Sequence, residues 1–398
     1  MVPKGWEVKK LEDVVSKTRK ITYGIVVPGP YEPNGNLMIR AKDYSFGWQP
    51  IESIYRVSDQ MHQSYKRSKV RKGDVLLTIV GSIGNTAIVP EDLEGANITQ
   101  QTARLSFDEH DANFFYSVMS SGIGKKEIYR YAKSGVQPSL NLADIAKFKV
   151  PVPPFQEQQK IAKILSVWDK AISTTERLIE NSTQQKKALM QQLLTGKKRL
   201  LDESGKRFEG EWADVKQGEV AKFFNGRAYK QSEWEEKGTP VIRLQNLTGR
   251  GTNYYYSTLT LPEHQYCNKG DLLYMWSATF GPAIWHGAKA IYHYHIWKVE
   301  CKAELLHKIY MYYLLDYETQ RLMSKTNGMG LMHVTKGTME NQLISLPTFQ
   351  EQQKIATVLT NADKEIELLE QQLADLQQEK KALMQVLLTG KKRVKLND

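Results

Sequence analysis

Five cations crowd into seven positions, at Lys66, Arg67, Lys69, Arg71 and Lys72, directly after Tyr65. Such a run neutralises phosphates and makes affinity depend on salt more than on base sequence. A solvated basic loop has the same composition. Side chains able to grip adenine and guanine edges surround the run: Arg40 before it, then Gln100, Gln101 and Arg104 beside Asn97 and Thr99. Gln137 and Asn141 belong to a polar loop further on. The second half of the chain offers Arg243, Gln245, Asn246 and Arg250, then Tyr255 in a tyrosine run, Trp276, Thr279, Asn327 and His333. A tyrosine run also suits the edge of a core.

Catalytic patterns are weak by comparison. His264, Cys267, His286, His293, His295 and Cys301 lack paired metal-ligand spacing, and His293 and His295 would share one strand face, so no metal is expected. Thr195-Gly196-Lys197-Lys198 ends a helix where a phosphate loop would begin one. Val152-Pro153-Pro154-Phe155 comes near the motif of adenine-N6 methyltransferases, which opens on Asn or Asp. Val152 can accept no hydrogen bond from the amino group under attack. No catalytic residue is assigned.

The dominant feature of the chain is a duplication. Residues 155–199 and 349–393 align without a gap at an offset of 194, with 27 identities in 45 positions. Each copy follows a proline-containing stretch, and Thr348-Phe349-Gln350-Glu351 has the pattern of a capping box. Each ends at Thr-Gly-Lys-Lys-Arg, with Gly196 and Gly390 placed to stop a helix and cations suited to its negative end. Between these ends the apolar steps alternate three and four. One stripe runs through Leu165, Trp168, Ile172, Ile179, Leu189 and Leu193. The other runs through Leu359, Ala362, Ile366, Leu369, Leu373, Leu376, Leu383 and Leu387. Thr175, Ser182, Lys186 and Lys380 interrupt the stripes, either to fix register or to face a third helix. A long helix with one apolar seam needs a partner, and the spacing predicts an antiparallel coiled coil of the two copies.

The segments between share a pattern despite their divergence. Lys72-Gly73-Asp74 precedes an apolar run at Val75–Val80, and Lys269-Gly270-Asp271 precedes Leu272–Trp276. Met38-Ile39-Arg40 matches Val241-Ile242-Arg243, and Trp6 echoes Trp212. The expected class is α+β: two mixed α/β recognition modules, 1–152 and 200–346, each followed by a helical spacer, 153–199 and 347–398. Helical patches are expected near Asn113–Lys133 and Glu304–Met323.

Lys and Arg number 55 against 44 Asp and Glu, a net charge of +11 with pI near 9.2, which favours a polyanionic partner. Two cysteines, no apolar leader and no run of about 18 apolar residues give the expectation of a cytoplasmic protein without a membrane partner.

The arrangement resembles the specificity subunit of type I restriction–modification systems. The carriers are Pro153 to Ile161 and Pro347 to Ile355, both similar to the Pro-x-x-x-Glu-Gln-x-x-Ile signature that opens each conserved helix of that family. The resemblance implies two target recognition domains held apart by the helices, each reading half of a split duplex DNA sequence. It implies no catalysis by the chain itself, and docking of two modification subunits and of restriction subunits. S-adenosylmethionine, ATP and Mg would belong to those partners. Phe155, Gln156, Glu157, Gln158 and Ile161, with Phe349, Gln350, Glu351, Gln352 and Ile355, become candidates for docking a partner or the other helix. Two alternatives stay open: a stand-alone nuclease or methylase, and a coiled-coil adaptor for protein or RNA.

Overall fold

The computed structural model describes residues 2–133, 137–325 and 334–396. The chain divides into two compact units, Met1–Glu176 with Gln371–Asp398, and Arg177–Glu370. Each repeated segment forms one uninterrupted helix, Phe155–Leu193 and Phe349–Leu387, 39 residues each and about 58 Å long. The unit boundary falls within both helices rather than at their ends. Each unit therefore takes the first half of one helix and the second half of the other.

The helix ends show why the sequence stops there. Gly196 and Gly390 have φ of +69° and +70°, and the amides of Lys198 and Lys392 bond back to Gln192 and Val386, as in a left-handed helix cap. The expected capping box is only half present. The Glu351 amide donates to the Thr348 hydroxyl, but the Glu351 carboxylate is drawn to Arg199 instead.

Within the first unit a four-stranded sheet runs in the order Thr22–Tyr23, Thr102–Leu105, Val75–Thr78, Thr86–Ile88. A three-stranded sheet places Asn36–Ile39 antiparallel to Tyr55–Val57 and parallel to Asn97–Ile98. Glu7–Lys10 pairs with Lys149–Val152, which leads into the long helix. The second unit repeats this plan, with Tyr266–Cys267 added beside Ala290–Tyr292 as a fourth strand of its other sheet. Its larger sheet has the order Ala221–Asn225, Ile296–Cys301, Leu272–Ser277, Thr279–Ile284, and Thr239–Ile242 lies antiparallel to Tyr255–Ser257 and parallel to Ala290–Tyr292. Ala213–Lys216 pairs with Leu343–Leu346 before the second long helix. The expected helical patches are Ala112–Ser120 with Gly122–Tyr131, and Lys308–Lys325.

The central strand of each unit is apolar on both faces because it serves two cores. Val75 and Leu77 face a core that includes Ile161, Leu165 and Leu387 of the long helices, while Leu76 faces a separate core with Ile39 and Ile98. In the second unit Leu272 and Tyr274 pack with Met190, Leu193, Ile355 and Leu359, and Leu273 and Met275 pack with Ile242 and Tyr292.

Candidate nucleic-acid interface

The Glu-Gln pair that opens each long helix is buried inside its own unit. Glu157 accepts from Arg393 Nε at 2.8 Å and from Arg393 Nη2, and from Trp6 Nε1 at 3.2 Å. Glu351 is fully buried and accepts from Arg199 Nε and Nη2 at 2.6 and 2.7 Å. The arginine that ends one repeat thus grips the glutamate that starts the other, in both units. Gln158 donates to the Pro153 carbonyl and accepts from the Asp111 amide; Gln352 donates to the Pro347 and Leu305 carbonyls and accepts from the His307 amide. Each glutamine ties the helix start to a loop of the recognition module.

For six residues these contacts choose the second of the two docking roles expected from the sequence, the other helix rather than a partner. Glu157, Gln158, Ile161, Glu351, Gln352 and Ile355 dock helix to helix and helix to module, and they are too buried to meet another subunit. Phe155, Gln156 and Gln350 are exposed and Phe349 is half-buried, so these four keep a surface that a partner can reach. Arg199 and Arg393 were missed as clasp residues because charge at a helix end already had a sufficient local explanation.

The seam residues are buried or half-buried throughout. Lys380 forms an ion pair with Asp169 in the first unit, and Lys186 forms one with Asp363 in the second. These pairs are related by the 194-residue offset. Within each unit the residue numbers of partners fall on one helix as they rise on the other, so the helices are antiparallel there. The two lysines that break the apolar stripe therefore face carboxylates across the seam.

Among the candidate DNA contacts, Lys66, Arg67, Arg71 and Lys72 are exposed and Lys69 is half-buried on the segment after Asp59–Ser64; Lys72 is paired with Glu91 at 2.6 Å. Gln100, Gln101, Gln137, Asn141 and Arg250 are exposed, and Tyr255 is 40% exposed. Gln245 and Thr279 are half-buried. Asn327 and His333 lie outside the described residues.

Four candidates have internal occupations. Arg104 is buried, and it donates to the carbonyls of Arg67, Lys69 and Lys20, so it holds the basic segment from beneath. Burial pulls its pKa down to about 10, with Arg19 adding repulsion. Asn97 likewise is buried against His62, Tyr65 and Ser68. Asn246 spends its amide on the Arg243 N–H and the carbonyls of Gly251 and Asn253. Trp276 donates to the Tyr294 carbonyl and stacks on Trp297 at 5.6 Å. A polar residue type shows capacity for base contact, but burial decides whether the capacity is already used.

The second unit also gathers two of the candidates, Arg243 and Tyr255, into a cluster with Arg227, Tyr229 and Trp234, which the sequence did not single out. Trp234 stacks between Tyr229 and Tyr255, with ring centroids 4.8 and 4.5 Å away. Arg243 lies 4.2 Å over Tyr255, and Arg227 lies 4.5 Å over Tyr229. His293 and His295 sit in the turn between Ala290–Tyr292 and Ile296–Cys301, not on a strand face. Aromatic rings and guanidinium groups are the side-chain types that stack on bases and pair with phosphates.

Comparison with known proteins agrees with this architecture. The pattern of the family described as type I restriction modification DNA specificity domain matches residues 3–182 and again 209–378. The type I restriction enzyme MjaVIII specificity subunit of Methanocaldococcus jannaschii is 27% identical over 422 residues, covering 99% of this chain and 94% of that protein. The type I restriction enzyme EcoBI specificity subunit of Escherichia coli is 30% identical over 196 residues, covering 49% of this chain and 41% of that one. A solved chain, from work on complex assembly and conformational transition of the type I R-M system, superposes with a TM-score of 0.62 at 19% identity, covering 98% of both.

Proposed function

Since the chain belongs to the type I restriction modification DNA specificity family, we propose that its two units read the two halves of a split duplex target. The chain is the DNA-recognition component of a type I restriction–modification complex and is not itself its catalyst. The observation that carries the two-part reading is internal to the molecule: one strand plan occurs twice, and the surface side chains on it differ. A shared scaffold with unlike surfaces is what two different half-sites require.

In the finer reading, two modification subunits dock on the chain and methylate adenine N6 with S-adenosylmethionine, and restriction subunits add ATP- and Mg-dependent cleavage. The exposed Phe155, Gln156 and Gln350 are the docking candidates that remain at the helix starts. The long helices set the unspecified gap between half-sites. A duplex DNA target places the complex in the cytoplasm, and among the described residues no helix is long and apolar enough to cross a membrane.

The test combines the purified chain with its modification partner on a library of duplexes. Methylation confined to one split sequence is the expected result. Adding the same number of helical turns to both helices should change the gap and leave both half-sites unchanged. Methylation or cleavage by the chain alone, or binding without any split preference, would overturn the reading.

A further inference from the structure

One turn is built the same way in both units. In the first, the Thr99 amide bonds to the Ile39 carbonyl, Gln100 to Ile25, and Thr102 to Thr99, and the Ile79 amide bonds to the Gln101 carbonyl. In the second, His293 bonds to Ile242, Tyr294 to Arg227, Ile296 to His293, and Trp276 to His295. Ile25 pairs with Thr99, and Arg227 with His293, as single parallel bridges. A glycine precedes each crossing for the same reason. A Cβ on Gly24 would lie 1.6 Å from the Ile98 carbonyl oxygen, and one on Gly226 would lie 2.3 Å from that of His293. The backbone is therefore fixed in both units, and only the side chains on it vary.

Those side chains differ in the chemistry they offer. Ile25, Thr99, Gln100 and Gln101 of the first unit stand where the second has Arg227, His293, Tyr294 and His295. Arg40 and Arg243 are also equivalent, each at the end of the strand that runs parallel into the turn. Arg40 is held by Asp43 through Nε at 3.1 Å and Nη2 at 3.0 Å. Asn246 occupies the corresponding step in the second unit, and its oxygen is taken by the Arg243 backbone. Both guanidinium groups lie over a tyrosine, Arg40 over Tyr55 at 5.1 Å and Arg243 over Tyr255 at 4.2 Å, but only Arg40 is also held by a carboxylate.

Among the described residues, two buried polar atoms at this place have no hydrogen-bond partner in the protein, Arg243 Nε in the second unit and Thr99 Oγ1 in the first, while Arg227 and Tyr229 pair with each other. Buried polar atoms are rarely left unpaired unless a ligand or water completes them. Gln100, Gln101 and Tyr294 reach solvent beside them.

We propose that this turn is the base-reading element of both units, with Arg243 gripping a guanine edge in one half-site and Gln100 and Gln101 gripping adenine edges in the other. The proposal rests on the two-part DNA reading above. A guanidinium fork matches the two acceptors of guanine, and a carboxamide matches the acceptor and donor of adenine. The basic segment Lys66–Lys72 then supplies phosphate contacts and no sequence.

The experiment is methylation of a randomised duplex library by the full chain with its modification partner. Three proteins are compared: wild type, Arg243→Lys, and the double variant Gln100→Ala/Gln101→Ala. Lysine keeps the charge and loses the fork. Arg243→Lys should relax one position of one half-site by roughly tenfold or more and leave the other half-site intact. The double variant should relax the other half-site alone. Its two side chains are exposed, so it decides the matter should Arg243→Lys fail to fold. Unchanged discrimination, or an equal loss of rate on all duplexes, overturns the base-reading turn while the two-part reading stands. A wild-type protein with no split site overturns both.

Discussion

At the scale of single residues, the clasp pairs differ in a way that stability can report. Glu351 is fully buried, and no tryptophan helps it: Trp212 Nε1 is buried without a partner, whereas its counterpart Trp6 donates to Glu157. Arg199→Ala leaves a buried carboxylate unpaired and should cost roughly 3 kcal/mol. Arg393→Ala should cost less, because Glu157 keeps the indole. Urea melts of the two variants should show that order, and equal midpoints would count against the clasp as described. His293 gives a second test. Burial, with help from His295 and Arg243, draws its pKa down to about 4. An unfolded histidine titrates near ~6.5. Between those values the unfolded chain holds a proton that the folded one lacks, so this stability is complete above about pH 6.5 and drains away toward pH 4. His293→Gln should flatten the acid limb of a melting-temperature profile. None of this was legible from residue types. The sequence marks Glu157 and Arg104 as chemically capable, but only burial shows that their capacity is spent inside the fold.

At the scale of elements, far more was readable, because periodicity reports which face of a helix is buried. The duplication, the glycine stops and the apolar stripe all place the long helices correctly. Even the stripe's flaws were informative. Lys186 and Lys380 interrupt it at equivalent positions, and each meets an aspartate of the opposite helix. These pairs are half-exposed on the carboxylate side, so each contributes about 1 kcal/mol or less to stability. Their value is in register, since an apolar seam alone tolerates slippage by a heptad. Replacing both lysines and both aspartates by leucine should therefore leave the melting temperature unchanged or higher. The same variant should show mixed helix registers when cysteines engineered across the seam are oxidised. A single crosslinking pattern identical to wild type would assign register to the Arg–Glu clasps instead. What periodicity could not reveal was the missing half of the capping box at Thr348, because a tertiary partner outcompetes the local one for Glu351.

At the scale of the whole molecule, the two cores that share the central strand of each unit divide what is free to change from what is not. The core that contains long-helix residues is constrained by a repeated sequence: Met190, Leu193, Ile355 and Leu359 must fit Val220, Tyr310 and Leu314 in the second unit. The outer core, with Ile242, Cys267, Leu273, Met275 and Tyr292, contains no residue of either long helix. The central strand joins them by alternation, Leu272 and Tyr274 to one side, Leu273 and Met275 to the other. This explains why the modules diverge in sequence while their helices stay alike, and why a repeat search finds the helices first. It also directs how specificity can be re-engineered. A graft of 200–346 from another family member brings a foreign surface against Met190, Leu193, Ile355 and Leu359, and overpacking or voids there cost about 1–3 kcal/mol. A graft that keeps Val220, Leu272, Tyr274, Trp297, Val299, Tyr310 and Leu314 and exchanges the outer core with its turn avoids that cost. The restrained graft should change one half-site, leave the other untouched, and melt within a few degrees of wild type. The full graft should change the same half-site but melt lower. If both grafts melt alike, the helix-side core is not what limits exchange, and the separation into a fixed and a variable core fails.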